Sequence, residues 1–202
     1  MTADLGSLLT VNDAAGNPLT DATVVFVRSD AQPADWGSGV TEVRNVADSG
    51  TYWFKVTAKN HSEYIGSLTV TIKPIDITIT PTVTLEKVYD GNADAAITAI
   101  NGTDYTGVGI SLTGTADGES ISVTAAAAYN DKTAADGKTI TVTYTLNGAD
   151  ADLANYTFNG KKAVASKVTG TLTDGKITKK SITVTGGINA TDRVYDGTNV
   201  VA

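Results

Sequence analysis

Few residues of this chain carry the side chains on which catalysis or metal binding usually depends. The 202 residues contain no Cys and a single His, His61. Disulfides, cysteine-ligated zinc and cysteine nucleophiles are therefore excluded, and a Ser-His-Asp triad could be built only around His61. Because His61 lies in a polar stretch between two predicted strands, we expect it to be a solvated loop residue. We predict no catalytic residue, no cofactor and no enzyme activity.

Two groups of oxygen-bearing side chains have spacings that could suit calcium. The i, i+2, i+4 spacing of a calcium loop is shared by Asp90, Asn92 and Asp94. The glycine and the final acidic ligand of such a loop are replaced by Ala95 and Asn101. A looser group comprises Asp150, Asp152 and Asn155. We predict no metal site and leave calcium at either group as the alternative.

Composition limits the classes of partner. The net charge is −7 and 18% of the residues are charged, so no basic patch is available for nucleic acid. No apolar run approaches the roughly 20 residues of a membrane helix. The start at Met1 lacks the basic and apolar regions of a signal peptide, so we expect either an intracellular protein or a fragment of a longer secreted one.

The dominant sequence period is two, which indicates β-strands with one apolar and one polar face. Apolar residues alternate with Thr in 77–80, 121–124, 140–146 and 182–185. Turn dipeptides such as Asp136-Gly137 and Asp174-Gly175 recur between such stretches. Only 94–100 and 125–128 have a mildly helical pattern. Short strands separated by glycine-rich turns predict an all-β protein built of β-sandwiches.

A long internal repeat divides the chain. The stretch Lys87–Gly91 (KVYDG) reappears as Arg193–Gly197 (RVYDG), which places Tyr195 106 positions after Tyr89. The Ile/Thr stretch at 77–80 reappears 105 positions later at 182–185. This period is that of one small sandwich domain. We predict modules at 1–74 and 75–180, with the opening strands of a truncated module at 181–202.

The architecture that follows is a row of immunoglobulin-like antiparallel β-sandwich modules arranged end to end, because the joins are almost without linkers. In the first module, Asp48–Tyr52 resembles a tyrosine corner, in which the Tyr52 ring is buried and its hydroxyl bonds to the backbone. We expect segment 181–202 to pair with an exposed strand edge.

The Tyr-Asp-Gly element has a structural interpretation and a binding one. In the structural one, which we favour, the rings of Tyr89 and Tyr195 anchor in the core. The carboxylates of Asp90 and Asp196 then cap backbone N–H groups, and Gly91 and Gly197 adopt positive φ. The alternative is that the element binds a partner.

Together with Tyr156 in the stretch Asn155–Phe158 and a closing Ile-Thr-Lys-Lys, this element resembles the YDG-type repeats of bacterial surface proteins. The first module resembles a bacterial immunoglobulin-like domain. The resemblance implies tandem sandwich repeats in large secreted or cell-surface, adhesin-like proteins, without catalytic residues.

We therefore expect a structural spacer whose partners are the adjacent repeats. The alternatives are a module that binds a host glycan or host protein, through exposed Trp36 or Tyr105, and an accessory domain of a secreted glycoside hydrolase. A Lys–Asn isopeptide cross-link, known from bacterial surface sandwiches, is a further alternative.

Overall fold

The structure is a computed structural model that describes residues 3–187, 194, 195 and 197. About 45% of the chain is strand and 4% is helix, which confirms the predicted all-β class. Among the described residues, no helix is long and apolar enough to cross a membrane.

Buried apolar side chains form two separate cores. The smaller core consists of Leu5, Phe26, Val43, Tyr52 and Phe54. The larger core contains 18 buried residues, from Ile77 to Ile177. We call residues 3–72 the first unit and residues 75–178 the second unit. The module boundaries at 74 and 180 remain predictions.

The first unit is a three-stranded antiparallel sheet covered by a two-stranded ladder. Its strands are β1 (Ala3–Asp4), β2 (Thr23–Arg28), β3 (Glu42–Val43), β4 (Gly50–Thr57) and β5 (Tyr64–Val70). The sheet has the order β2-β4-β5, and β1 pairs with β3. After β3, Val46–Asp48 forms a turn of 3₁₀ helix.

The second unit has one large sheet and two small ones. Its elements are β6 (Ile75–Ile77), β7 (Pro81–Val83), β8 (Glu86–Val88), β9 (Asp94–Ala95), β10 (Ile97–Ile100), β11 (Thr103–Asp104), β12 (Ile110–Ser111), β13 (Ser122–Tyr129), β14 (Ala135–Asn147), α1 (Asp150–Leu153), β15 (Tyr156–Phe158) and β16 (Lys167–Thr178). The large sheet has the order β12-β13-β14-β16-β8, with β9 also on β13. The small sheets are β11-β10-β7 and β15-β6.

The pairing is not wholly antiparallel, in contrast to the prediction. The ladders β15–β6 and β16–β8 are parallel. Parallel partners cannot be joined by a tight hairpin, so both ladders pair an early strand of the unit with a late one. Through these two parallel ladders, the first strands of the second unit are hydrogen-bonded to its last strands.

Strand β14 displays the predicted alternation most fully. The side chains of Ile140, Val142, Tyr144 and Leu146 are buried, whereas the residues between them are partly or fully exposed. Successive side chains of a strand point to opposite faces, so the apolar set covers the core and the threonines face solvent.

Two predicted turns are wrong. Asp136-Gly137 and Asp174-Gly175 lie inside β14 and β16, at a point where the register of their ladder shifts. Gly175 faces Lys138, and a Cβ at Gly175 would lie 2.8 Å from the carbonyl oxygen of Lys138. The glycine is therefore required by close strand approach at a bulge.

The mildly helical patterns are also overridden by the sheet. Residues 125–128 lie in the middle of β13, paired along their whole length with β14. Residues 94–100 contribute to β9 and β10. Strand pairing and burial outweigh local alanine propensity at these positions.

The segment after β16 does not pair as predicted over its described part. Residues 181–185 belong to no strand, and Ile182 is 94% exposed. Most of the remainder, including Asp196, lies outside the described residues.

The chain enters and leaves the second unit at opposite ends of the large sheet. At one end, Ile75 pairs with Tyr156, whose hydroxyl bonds to Glu119 close to the start of β13. At the other end, Ile177 pairs with Ala135, and the N–H of Tyr89 donates to the carbonyl of Thr178. We call these the entry end and the exit end. The eight-residue strand β13 between them spans about 24 Å at about 3.4 Å per residue.

The bulge predicts a sharp difference between two glycines. Gly175→Val should destabilise the second unit by about 1–3 kcal/mol, because the added carbons overlap the backbone of Lys138 and the side chain of Ile140. Gly186→Val is the matched control, because a Cβ there meets no atom within 4 Å. Thermal unfolding measures both, and equal midpoints for the two variants would contradict the assigned register.

Candidate functional site

The repeated Tyr-Asp-Gly element is a turn organised around the ammonium group of Lys87. Nζ of Lys87 lies 2.9 and 3.1 Å from the two carboxylate oxygens of Asp90 and 2.7 Å from Oδ1 of Asn92. It also lies 5.7 Å from the centre of the Tyr129 ring. The Lys87 side chain is only 16% exposed. The basic residue of the motif is therefore an internal cation that holds the turn together.

Asp90 and Gly91 shape the backbone of this turn. A carboxylate oxygen of Asp90 accepts the N–H of Asn92 at 3.1 Å, and Gly91 has φ of +90°. The hydrogen bond from Lys87, assisted by that from Asn92, lowers the pKa of the Asp90 carboxyl. Gly197, in the second copy, also has positive φ, at +78°.

The core position predicted for Tyr89 is wrong. Tyr89 is 38% exposed and is not a member of the core, and Tyr195 is 90% exposed. Lys87 takes the inward-facing position of β8, with its Nζ over the Tyr129 ring, whereas Tyr89 lies just after the strand and its ring is on the surface at the exit end.

The tyrosine that anchors this region is Tyr129, which the sequence reasoning missed. It is 3% exposed, and its hydroxyl donates to the carbonyl of Leu85 at 3.0 Å. Burial raises the pKa of the Tyr129 hydroxyl. The available signal was its position at the end of the apolar stretch 125–129.

The oxygen atoms of the suspected calcium loop already surround a cation of the protein itself. The Lys87 ammonium contacts Asp90 and Asn92, two of the three suspected ligands. Among the described residues, no group of three or more His, Asp or Glu side chains could hold a metal ion. In the second group, Asn155 is engaged by the first unit, as described below, and the side chain of Asp150 lies outside the described part.

The same ion pairs bear on the isopeptide alternative. Lys87 lies beside both an Asn and an Asp, and the buried Lys138 donates to Asp131 at 2.7 Å. The bond from Lys138 lowers the pKa of Asp131 to about 2. Each carboxylate therefore stabilises its lysine as an ammonium ion, which has no lone pair for attack on a carbonyl carbon.

The aromatic residues considered for ligand stacking are already engaged. Nζ of Lys55 lies 5.2 Å from the centre of the half-buried Trp36 ring. The Tyr105 hydroxyl donates to the carbonyl of Ala125 and accepts its N–H, at 3.0 and 2.9 Å. His61 lies exposed in its turn, with Nδ1 2.8 Å from the carbonyl oxygen of Lys59.

Tyr52 occupies the corner of the first unit. Its ring is 2% exposed, and its hydroxyl donates to the carbonyl of Asp48 at 2.7 Å. The Asp48 carboxylate accepts the N–H groups of Arg44 and Asn45, which lowers its pKa. This corner fixes the 44–48 segment, which contacts the second unit.

The contact between the units is centred on Asn155. Its Oδ1 accepts the N–H of Val46 at 2.8 Å, and its Nδ2 donates to Oδ1 of Asn45 at 3.0 Å. Beside it, Arg44 lies 3.3 Å from Glu119, whose side chain is 7% exposed.

Tyr156 supports this contact from within the second unit, because its hydroxyl bonds to Glu119. It is 1% exposed, accepts the N–H of Ala116 and donates to Oε2 of Glu119, both at 2.7 Å. Burial raises the pKa of the Tyr156 hydroxyl, so it remains a donor. The motif residues Asn155 and Tyr156 thus build the entry end of the second unit.

The family comparison agrees with this geometry. Residues 71–166 match the family model of the YDG domain. These residues are a YDG domain. The match includes the Lys87–Gly91 turn and the Asn155–Phe158 stretch, and it ends just before β16. We use the name YDG domain for the whole second unit, with β16 included. Comparison with curated proteins and with solved structures gave no match.

Two tyrosines of the YDG domain should respond differently to substitution. Tyr156→Phe removes the hydroxyl that bonds to the N–H of Ala116 and to Oε2 of Glu119, which should cost about 1–3 kcal/mol. Tyr89→Ala removes a partly exposed ring and should cost about 1 kcal/mol or less. Calorimetric unfolding tests both, and a greater loss for Tyr89→Ala would restore the core role that the structure denies it.

Proposed function

We propose that the chain is a non-catalytic structural spacer, a section of tandem β-sandwich repeats in a large bacterial cell-surface, adhesin-like protein. The observation that carries this proposal is the placement of the chain's entry and exit at opposite ends of the YDG domain. When copies of such a domain are added in tandem, each copy adds its own length to the stalk. A domain with adjacent termini would instead project sideways from the stalk and add little to its length.

The joins support the same function. Four residues separate β5 from β6. After β16, the Ile/Thr stretch found at 77–80 recurs at 182–185, so the next copy would begin almost at once. Such short connections leave little freedom between successive units. The first unit is also held by the contacts of Arg44, Asn45 and Val46 with the entry end.

The ladders run along the direction in which a stalk would be pulled. Strands β13, β14 and β16 extend between the two ends, so tension loads their hydrogen bonds in shear, many at once. Forced unfolding depends on the rate of unfolding, which such a ladder slows. A secreted or surface location, with adjacent repeats as partners, follows from this function. Glycan or host-protein binding has less support, because Trp36 and Tyr105 are engaged by Lys55 and Ala125.

Antibodies against residues 1–202 test the location. Intact cells that make the parent protein should bind them as well as permeabilised cells do. Labelling only after permeabilisation would overturn the proposed surface location.

A deletion tests the spacer role. Removing residues 77–181 from the parent joins Asp76 to Ile182 in the register of the repeat. The contour length seen by electron microscopy should fall by about 25 Å or more, since β13 alone spans about 24 Å. Retained binding of the cells to their target surface, at a shorter distance, is expected. An unchanged contour length would contradict the proposal.

A further inference from the structure

We propose that the exit end of the YDG domain is a docking surface for the entry end of a following copy of the same domain, with Lys132 in the role that Arg44 plays at the existing contact. This inference rests on the proposed tandem arrangement and adds to it a specific interface. The occupant is a second YDG unit, placed by the strand that leaves β16.

The exit end has an open groove where the entry end has a covered one. The groove has a volume of about 730 Å³ and is lined by Tyr89, Lys132, Thr133, Ala134 and residues 179–182. At the entry end, the covered counterpart has about 170 Å³ and is bounded by both units. In each case one wall is the segment that leads from one unit to the next.

Exposed apolar surface marks the exit end. Tyr89 and Val88 are 38% and 57% exposed, although they lie in the motif that repeats along the chain. A docked neighbour would cover this surface, which accounts for an aromatic residue in the motif that the domain's own core does not use.

Charge favours one orientation. Four acids near the exit end are already paired: Asp90 with Lys87, Asp131 with Lys138, and both Glu86 and Asp136 with Lys176. The exposed lysines 132, 179 and 180 form no ion pair with any described residue. The described residues that line the groove itself therefore include three lysines and no acidic residue.

Acidic side chains are present at the entry end. Glu119 and Asp117 lie in the turn before β13, and Asp152 lies in α1 just before Asn155. The first unit already places the Arg44 guanidinium on Glu119 and main-chain N–H groups near the Asn155 amide. The entry end thus already binds a basic side chain that lies beside the connecting segment. At the exit end, Lys132 lies in the corresponding place and can bind Glu119 of a following copy.

A duplicated chain tests the docking. Residues 1–181 followed by residues 77–202 place a second YDG unit in the register of the repeat. Lys132→Glu in the first copy should lower the thermal midpoint of the duplicated chain by up to about 4 °C, as expected for one ion pair and the groove it closes. The same substitution in the 1–202 chain should leave the midpoint unchanged.

Two further variants make the result specific. Lys59→Glu, an exposed lysine of the first unit, is the charge-matched control and should have no effect in either chain. Tyr89→Ser in the first copy should destabilise the duplicated chain more than the 1–202 chain. Equal effects of Lys132→Glu in both chains, or none in either, would overturn the docking surface. That failure would leave the spacer function standing on its own tests, with flexibly joined units.

Discussion

The structure depends most on β14, the central strand of the large sheet, which pairs with β13 on one side and with β16 on the other through the middle of the YDG domain. Thirteen residues of β14 run from the exit end to the entry end. Its inward side chains supply a large part of the core, and its outward threonines tolerate water. Because β14 extends between the end where the chain enters and the end where it leaves, it fixes the distance between those ends. It therefore also sets the direction in which further copies of the domain would extend the chain.

The motif residues of the domain stabilise the two ends of the large sheet. At the exit end, Lys87 is pulled inward by Asp90, Asn92 and the face of Tyr129. A partly buried ammonium needs polar partners in place of water, and the turn provides four hydrogen-bonding contacts. At the entry end, Tyr156 and Asn155 have different roles. Tyr156 stabilises the domain's own loop, and Asn155 contacts the neighbouring unit.

Sequence alone predicted the all-β class, because that class depends on local alternation of apolar and polar residues. It also identified the corner of Tyr52, whose pattern is compact. It misplaced Tyr89, since the buried ring of this region is that of Tyr129, with the Lys87 ammonium over it, and no local hydrophobic pattern reveals that arrangement. Likewise, Asp136-Gly137 and Asp174-Gly175 read as turns because a bulge between distant strands uses the same residues as a turn. The parallel ladders and the contact of Asn155 with Val46 join residues about 80 to 110 positions apart, beyond any local pattern.

The separation of the two chain ends of the YDG domain can be measured directly. The protein has no cysteine, so Lys73→Cys and Lys179→Cys, both exposed in the native chain, can each be given a spin label. Double electron–electron resonance should give a single distance of about 25 Å or more, as the length of the ladder requires. A distance below about 15 Å would place entry and exit at the same end and contradict the account.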